Sequence, residues 1–160
     1  MDLARSLPSS ETDFAFGCTS RYTATQFDTS PKAECMYRHH PDHRNWTAGK
    51  SQWIISEPAE LASFEFAMSQ GWLLDQVGWG LHIPDQTPEW LGVAQDHRTR
   101  VFIAKFVGAT APVMWHGYPV DHRRNTADIP TERVLNAWLK VAIFSPAKIR
   151  KIARGQPCSL

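Results

Sequence analysis

Two imidazoles, a phenol, a carboxylate and two guanidinium groups fall within nine positions of the run WHGYPVDHRR. They belong to His116, Tyr118, Asp121, His122, Arg123 and Arg124. Imidazoles titrate near neutral pH, so a pair can act as acid and base while a carboxylate orients one of them. A nearby guanidinium stabilises an oxyanion or a phosphate. The set suits phosphodiester cleavage without a metal, with His116, Tyr118, Asp121, His122 and Arg124 as the candidate catalytic residues. On an extended strand His116 and Tyr118 share a face and Gly117 points away. Asp121 and His122 are adjacent, so their side chains can diverge. The plainer alternative makes His116 a satisfied core histidine and DHRR a solvated turn.

A second cluster, CMYRHHPDH, spaces Cys35, His39 and His43 by three intervening residues each, with His40 and Asp42 between them. Zinc takes such ligands. Yet there is one cysteine and no paired second half, and Pro41 prevents a regular helix from presenting the ligands together. A histidine-rich exposed loop is the simpler reading, and His116 or His122 would have to complete a metal site from a distance.

The third feature is charge. Residues 51 to 97 carry seven acidic side chains and no Lys or Arg, whereas residues 98 to 160 carry eleven basic and three acidic ones. The first 50 residues balance at six of each, so the net charge of +1 hides a separation. From Arg133 onward there are six basic residues and no acidic one. Two helices joined by a short turn, the second carrying Lys148, Arg150, Lys151 and Arg154, have the outline of a helix-turn-helix reader. No Asn or Gln for reading bases follows in that helix until Gln156, so phosphate contact is the stronger expectation. The alternative is internal neutralisation against the acidic segment. Of the 7 Trp, most belong in a core. Trp79, between two glycines, and Trp115 are the two expected to line a partner-binding groove.

These residues need a scaffold, and the sequence suggests one. The run SQWII is strand-like. Ser56 then caps a helix over PAELASFEFAMSQ, with Pro58 in the first turn, Glu57 and Glu60 at the positive end of the dipole, and Gly71 as its stop. Four strand candidates follow: VGWGLHI, WLGVAQ, RVFIAKFVG and PVMWHGYPV. VGWGLHI alternates apolar residues with a bare face, and RVFIAKFVG is apolar on both faces and so central. Short connections favour an antiparallel meander. Asp128 or Thr131 caps a helix with Val134, Leu135, Trp138, Leu139 and Ala142 on one stripe, and Ser145-Pro146 starts a last helix ending before Gly155.

The expected fold is therefore α+β: one helix, a meander of about four strands and two C-terminal helices, with the helices on one face of the sheet. Residues 51–160 form the domain. Residues 1–50 read as an irregular or flexible arm, with Phe14, Phe16, Tyr22 and Phe27 as anchors. Three widely spaced cysteines do not make a disulfide framework, and no signal-like or membrane-length apolar run is present, which points to a cytoplasmic protein. No glycine-rich phosphate loop, G-x-S-x-G elbow, H-E-x-x-H or paired C-x-x-C occurs, and no cofactor is expected.

Three functions compete on this evidence. The leading one is a non-enzymatic binding protein that uses its charge-separated surfaces and aromatic residues to hold a protein or nucleic-acid partner. The second is a histidine-dependent hydrolase or nuclease centred on His116 and His122. The third is a metal-binding protein using Cys35 and the nearby histidines.

Overall fold

The computed structural model describes residues 36–108 and 114–160. The expected anchors Phe14, Phe16, Tyr22 and Phe27 lie outside the described residues. Among the described residues the fold is mixed α+β, with three α-helices and two sheets. No helix among them is long and apolar enough to cross a membrane.

The larger sheet has the order β1-β8-β7-β4-β3. Its strands are β1 (Met36–Tyr37), β3 (Leu73–Leu74), β4 (Val77–Leu81), β7 (Ile103–Gly108) and β8 (Met114–Val120). The smaller sheet has the order β2-β5-β6, from β2 (Gln52–Trp53), β5 (Gly92–Val93) and β6 (Arg100–Val101). Three of the four expected strands form β4, β7 and β8, antiparallel neighbours in the larger sheet. WLGVAQ instead contributes β5 to the second sheet, paired with Gln52–Trp53. RVFIAKFVG is divided at the buried Phe102, where the chain crosses from β6 in the small sheet to β7 in the large one. Its apolar character on both faces serves two sheets rather than one central strand.

Helix α1 (Glu57–Ser69) begins as expected, with the Ser56 hydroxyl accepting from the Ala59 N–H at 3.4 Å. It packs across β4, where Gly80 leaves room. A Cβ on Gly80 would lie 2.5 Å from the Phe106 ring and 3.3 Å from the Ser63 carbonyl oxygen of the helix. Phe64 and Ala67 of α1, Phe106 of β7 and Trp115 of β8 fill this layer. The strand register places Trp79, Lys105, Val107, His116 and Tyr118 on the opposite face.

Helices α2 (Glu132–Lys140) and α3 (Pro146–Ala153) pack on each other. Trp138 meets Trp72 and Phe144, and Phe144 meets Phe102, so one aromatic chain ties both helices to the domain. Thr131 occupies the cap position of α2, while Asp128 closes a short 3-10 turn and pairs with Lys105 at 3.3 Å. Ser145 caps α3 by accepting from the Lys148 N–H.

The segment 36–50 is built into the domain. Strand β1 runs parallel to β8, pairing Met36 with Met114 and Tyr37 with Trp115. The Arg38 N–H extends that ladder to the Trp115 carbonyl at 2.8 Å. A 3-10 turn over Pro41–His43 follows, begun by Pro41, whose ring suits the first position of such a turn.

Candidate functional site

Parallel pairing of β1 with β8 carries the two histidine clusters of the sequence to one place. The β1 ladder reaches only as far as Trp115, so His116 and Tyr118 lie beyond it, beside the chain that turns at Pro41–His43. A polar cavity of about 460 Å³ opens there, lined by His40, His43, His116 and Tyr118, with Lys50 and Arg124 also in its wall. The His40 ring centroid lies 5.5 Å from those of both His43 and His116. His43 stacks on Tyr118 at 5.1 Å and 16°.

Backbone partners set the hydrogens of two of these rings. His43 Nδ1 lies 2.8 Å from the Ser51 carbonyl oxygen. A carbonyl only accepts, so Nδ1 carries the hydrogen and Nε2 keeps a lone pair. The His40 Nδ1 accepts from the Asp42 N–H at 3.3 Å. A backbone N–H only donates, so His40 presents a hydrogen on Nε2 when neutral. One cavity thus holds an acceptor imidazole and a donor imidazole.

Burial lowers the His43 pKa below the ordinary histidine value, and the nearby His40, Lys50 and His116 lower it further against the Ser51 hydrogen bond. Burial also lowers His116, with His40 adding to the effect. Both rings are held toward the neutral form, which can take up a proton. Burial and then Asp128 raise the Tyr118 phenol, which keeps its proton at neutral pH.

The five expected catalytic residues do not all converge. His116, Tyr118, Asp121 and Arg124 line the cavity, and His122 does not. His122 is buried against Phe102, and its Nε2 lies 3.1 Å from the Gln156 carbonyl oxygen, where it fastens the C-terminal segment. Asp121 orients no histidine. Its carboxylate accepts from Arg123 Nε at 2.6 Å and Nη2 at 2.8 Å. Burial raises the Asp121 pKa, but these hydrogen bonds outweigh burial and the net shift is downward.

The partner-binding candidates also separate. Arg150 and Lys151 on α3 and Arg154 at its C-cap are exposed, and Lys148 is half-buried with its Nζ 5.4 Å from the Phe144 ring centroid. Trp79 and Trp115 lie in the core at 6% and 4% exposure. The large exposed indole is Trp46, 56% exposed in the loop ahead of Lys50, with φ of 60°.

Among the described residues no three His, Cys, Asp or Glu side chains are arranged to hold a metal ion. Cys35 lies outside those residues. His39 faces α1 instead of the cavity, with Nδ1 3.1 Å from Glu60 Oε2.

Sequence reasoning noticed His40 and His43 only as neighbours in a metal-like spacing, and it missed Lys50 and Ser51. The signal that joins the clusters is a parallel strand pair closed over more than 70 residues, which leaves no local pattern. No protein-family model, curated protein or solved structure matches the chain. Fold and cavity together define an α+β domain with a histidine-lined polar pocket at the end of a parallel strand pair.

Proposed function

We propose that this protein is a small histidine-dependent enzyme acting on phosphate esters, with His43 and His116 as its acid–base groups and His40 as a hydrogen-bond donor. The observation that supports the reading best is the pairing of a lone-pair imidazole, His43, with a donor imidazole, His40, in one polar cavity. The His43 lone pair can remove a proton, and the His40 N–H can donate a hydrogen bond to a phosphate oxygen at the same centre. His116 adds a third imidazole on the strand face. Lys50 and Arg124 supply positive charge for a phosphate, and the Tyr118 hydroxyl can donate to its oxygens. The centre of the reading is His116 with His40 and His43, in place of His116 with His122. The few, widely spaced cysteines support a reducing compartment for this chemistry.

The test is hydrolysis or transesterification of bis(4-nitrophenyl) phosphate and uridine 3′-(4-nitrophenyl phosphate) in excess EDTA. His43→Ala and His116→Ala should each lower kcat by about 10²- to 10⁴-fold, the usual range for a lost acid–base group. Urea unfolding midpoints would show that the variants are folded. Turnover that is undiminished in both variants, or absent with both esters, overturns the proposal.

A second reading is a non-enzymatic binding protein that holds a nucleic-acid or protein partner through α3. It is favoured by the placement of Arg150, Lys151 and Arg154 on the surface, with no ion pair to any acidic residue among the described residues. Retention on heparin and on a single-stranded oligonucleotide across a salt series tests it. Steep salt dependence that weakens when Lys148, Arg150 and Lys151 become Ala supports it. No retention at low salt counts against nucleic acid.

A further inference from the structure

A second cavity, of about 350 Å³, adjoins the first and is lined by Arg38, His39, His40, Pro41, Met114 and His116. His40 and His116 belong to the walls of both cavities. We infer that the substrate is single-stranded RNA, held across the two cavities with its scissile phosphate over the His40–His116 junction. The inference rests on the phosphate-ester reading above and narrows it to one polymer.

The two cavities differ in chemistry. The first carries Lys50 and Arg124, its two carboxylates, Asp121 and Asp128, being already paired with Arg123 and Lys105, and it suits a sugar and its phosphate. The second is walled by the apolar Pro41 and Met114, together with Arg38, His39 and the two shared histidines. Imidazole rings, guanidinium planes and apolar side chains are the surfaces on which unstacked bases lie. A ligand filling both cavities alternates an anionic unit with a flat, weakly polar one. That is the repeat of a polynucleotide, and the bases must be free of a duplex to enter.

Ribose follows from the choice of nucleophile. Ser51 is buried, and its Oγ lies 3.4 Å from His43 Nδ1. That nitrogen carries its hydrogen toward the Ser51 carbonyl at 2.8 Å, so it cannot deprotonate the hydroxyl. With Ser51 set aside, we assign the attack to the substrate's own 2′-hydroxyl in place of water, a choice that the deoxy dinucleotide below tests. His43 Nε2 takes the 2′ proton as the O2′–P bond forms and the P–O5′ bond breaks. His116, as its imidazolium, gives a proton to the departing 5′ oxygen, while neutral His40, its Nδ1 held by the Asp42 N–H, donates a hydrogen bond from Nε2 to a phosphate oxygen. The products are a 2′,3′-cyclic phosphate and a 5′-hydroxyl, and the two imidazoles return to their starting forms through solvent.

Three substrates separate the inference from the reading beneath it: the dinucleotide UpA, its 2′-deoxyuridine counterpart, and uridine 3′-(4-nitrophenyl phosphate). UpA should yield a 2′,3′-cyclic phosphate, seen by mass spectrometry, and the deoxy dinucleotide should not be cleaved. Arg38→Ala and Met114→Ala should each raise KM for UpA at least about fivefold, the lower end for one stacked base. The aryl ester, which has no second base, should show a smaller rise in KM in the same variants. Equal cleavage of the deoxy dinucleotide, or equal KM changes for UpA and the aryl ester, overturns the RNA assignment and leaves the phosphate-ester reading standing. No cleavage of any of the three overturns the RNA assignment, and if bis(4-nitrophenyl) phosphate is also left intact it overturns both.

Discussion

Residues 37–44 feed two polar clusters that lie side by side and are built on opposite terms. Tyr37, His39 and Arg44 turn toward α1 and surround Glu60, which is fully buried. Its carboxylate accepts from the Tyr37 hydroxyl at 2.6 Å and from Arg44 Nε at 2.9 Å, and Arg44 Nη2 adds a further contact. Arg44 also donates to the Ile55 carbonyl at 2.9 Å. His40 and His43, from the same eight residues, line the open cavity instead. Each commits one ring nitrogen to the backbone and leaves the other for a visitor. A carboxylate removed from water must be satisfied by fixed partners, and this fixes the segment. The closed cluster acts as an anchor, and the anchor holds the open one in place.

Removing the anchor should have the largest effect. Glu60→Ala leaves Arg44 and the Tyr37 hydroxyl without their common partner, and breaking a buried pair costs about 3–5 kcal/mol. Urea unfolding should show that loss, whereas Tyr37→Phe, which removes one hydrogen bond to a charged group, should cost about 1.5–3 kcal/mol. If Glu60→Ala is no worse than Tyr37→Phe, the carboxylate is not the organising group. Burial, followed by the charge and hydrogen bond of Glu60, pushes the Tyr37 phenol well above the ordinary tyrosine range, so ultraviolet titration should find it un-ionised until the fold opens.

Gly117 sharpens the comparison because it lies between His116 and Tyr118 but faces the anchor. A Cβ there would sit 2.5 Å from the Phe106 ring and 2.8 Å from the Tyr37 hydroxyl oxygen. Gly117→Ala should cost about 1–3 kcal/mol through overpacking. Gly80→Ala makes the same 2.5 Å approach to Phe106 without a close contact to Tyr37, so it serves as the control. In double-mutant cycles with Tyr37→Phe, the Gly117 pair should be non-additive by at least about 0.5 kcal/mol and the Gly80 pair additive. Additivity in both cycles would mean that Gly117 answers to Phe106 alone.

The anchor and the cavity were unequally visible in sequence. Helix α1 and its capping serine, the two C-terminal helices and the strands over VGWGL and MWHGYPV follow from periodicity and turn residues, which are local. The bare glycines of β4 admit close neighbours, Leu73 at Gly78 and Phe106 with α1 at Gly80. Long-range pairing was invisible. Nothing near Gln52 announces that it pairs with Val93, or near Met36 that it pairs with Met114. Two-residue strands have too few positions to show alternation. Glu60 was read as a dipole partner in the first turn of α1. Its burial depends on Arg44 and Tyr37, residues that the lack of periodicity over residues 1–50 placed in an arm.

Acid acts first on the buried histidines, with a smaller effect than the substitutions above. His43, His116 and His122 all have pKa values lowered by burial, so the unfolded chain binds their protons more readily than the fold does. Their contribution is complete above about pH 6.5, the unfolded value, and falls away as pH drops through the folded values. Asp121 is also lowered, but its contribution declines only below the ordinary carboxylate value of about 3.9. Urea unfolding at pH 7.5, 6.0 and 5.0 should therefore show a progressive loss of stability that belongs to the histidines. His122→Phe should flatten the slope, because its ring has left the cavity for the Gln156 carbonyl and Phe102, and it should leave turnover intact. His116→Asn should flatten the slope and also abolish turnover. A slope unchanged in both variants would place the acid sensitivity elsewhere and weaken the claim that these rings are stored in neutral form.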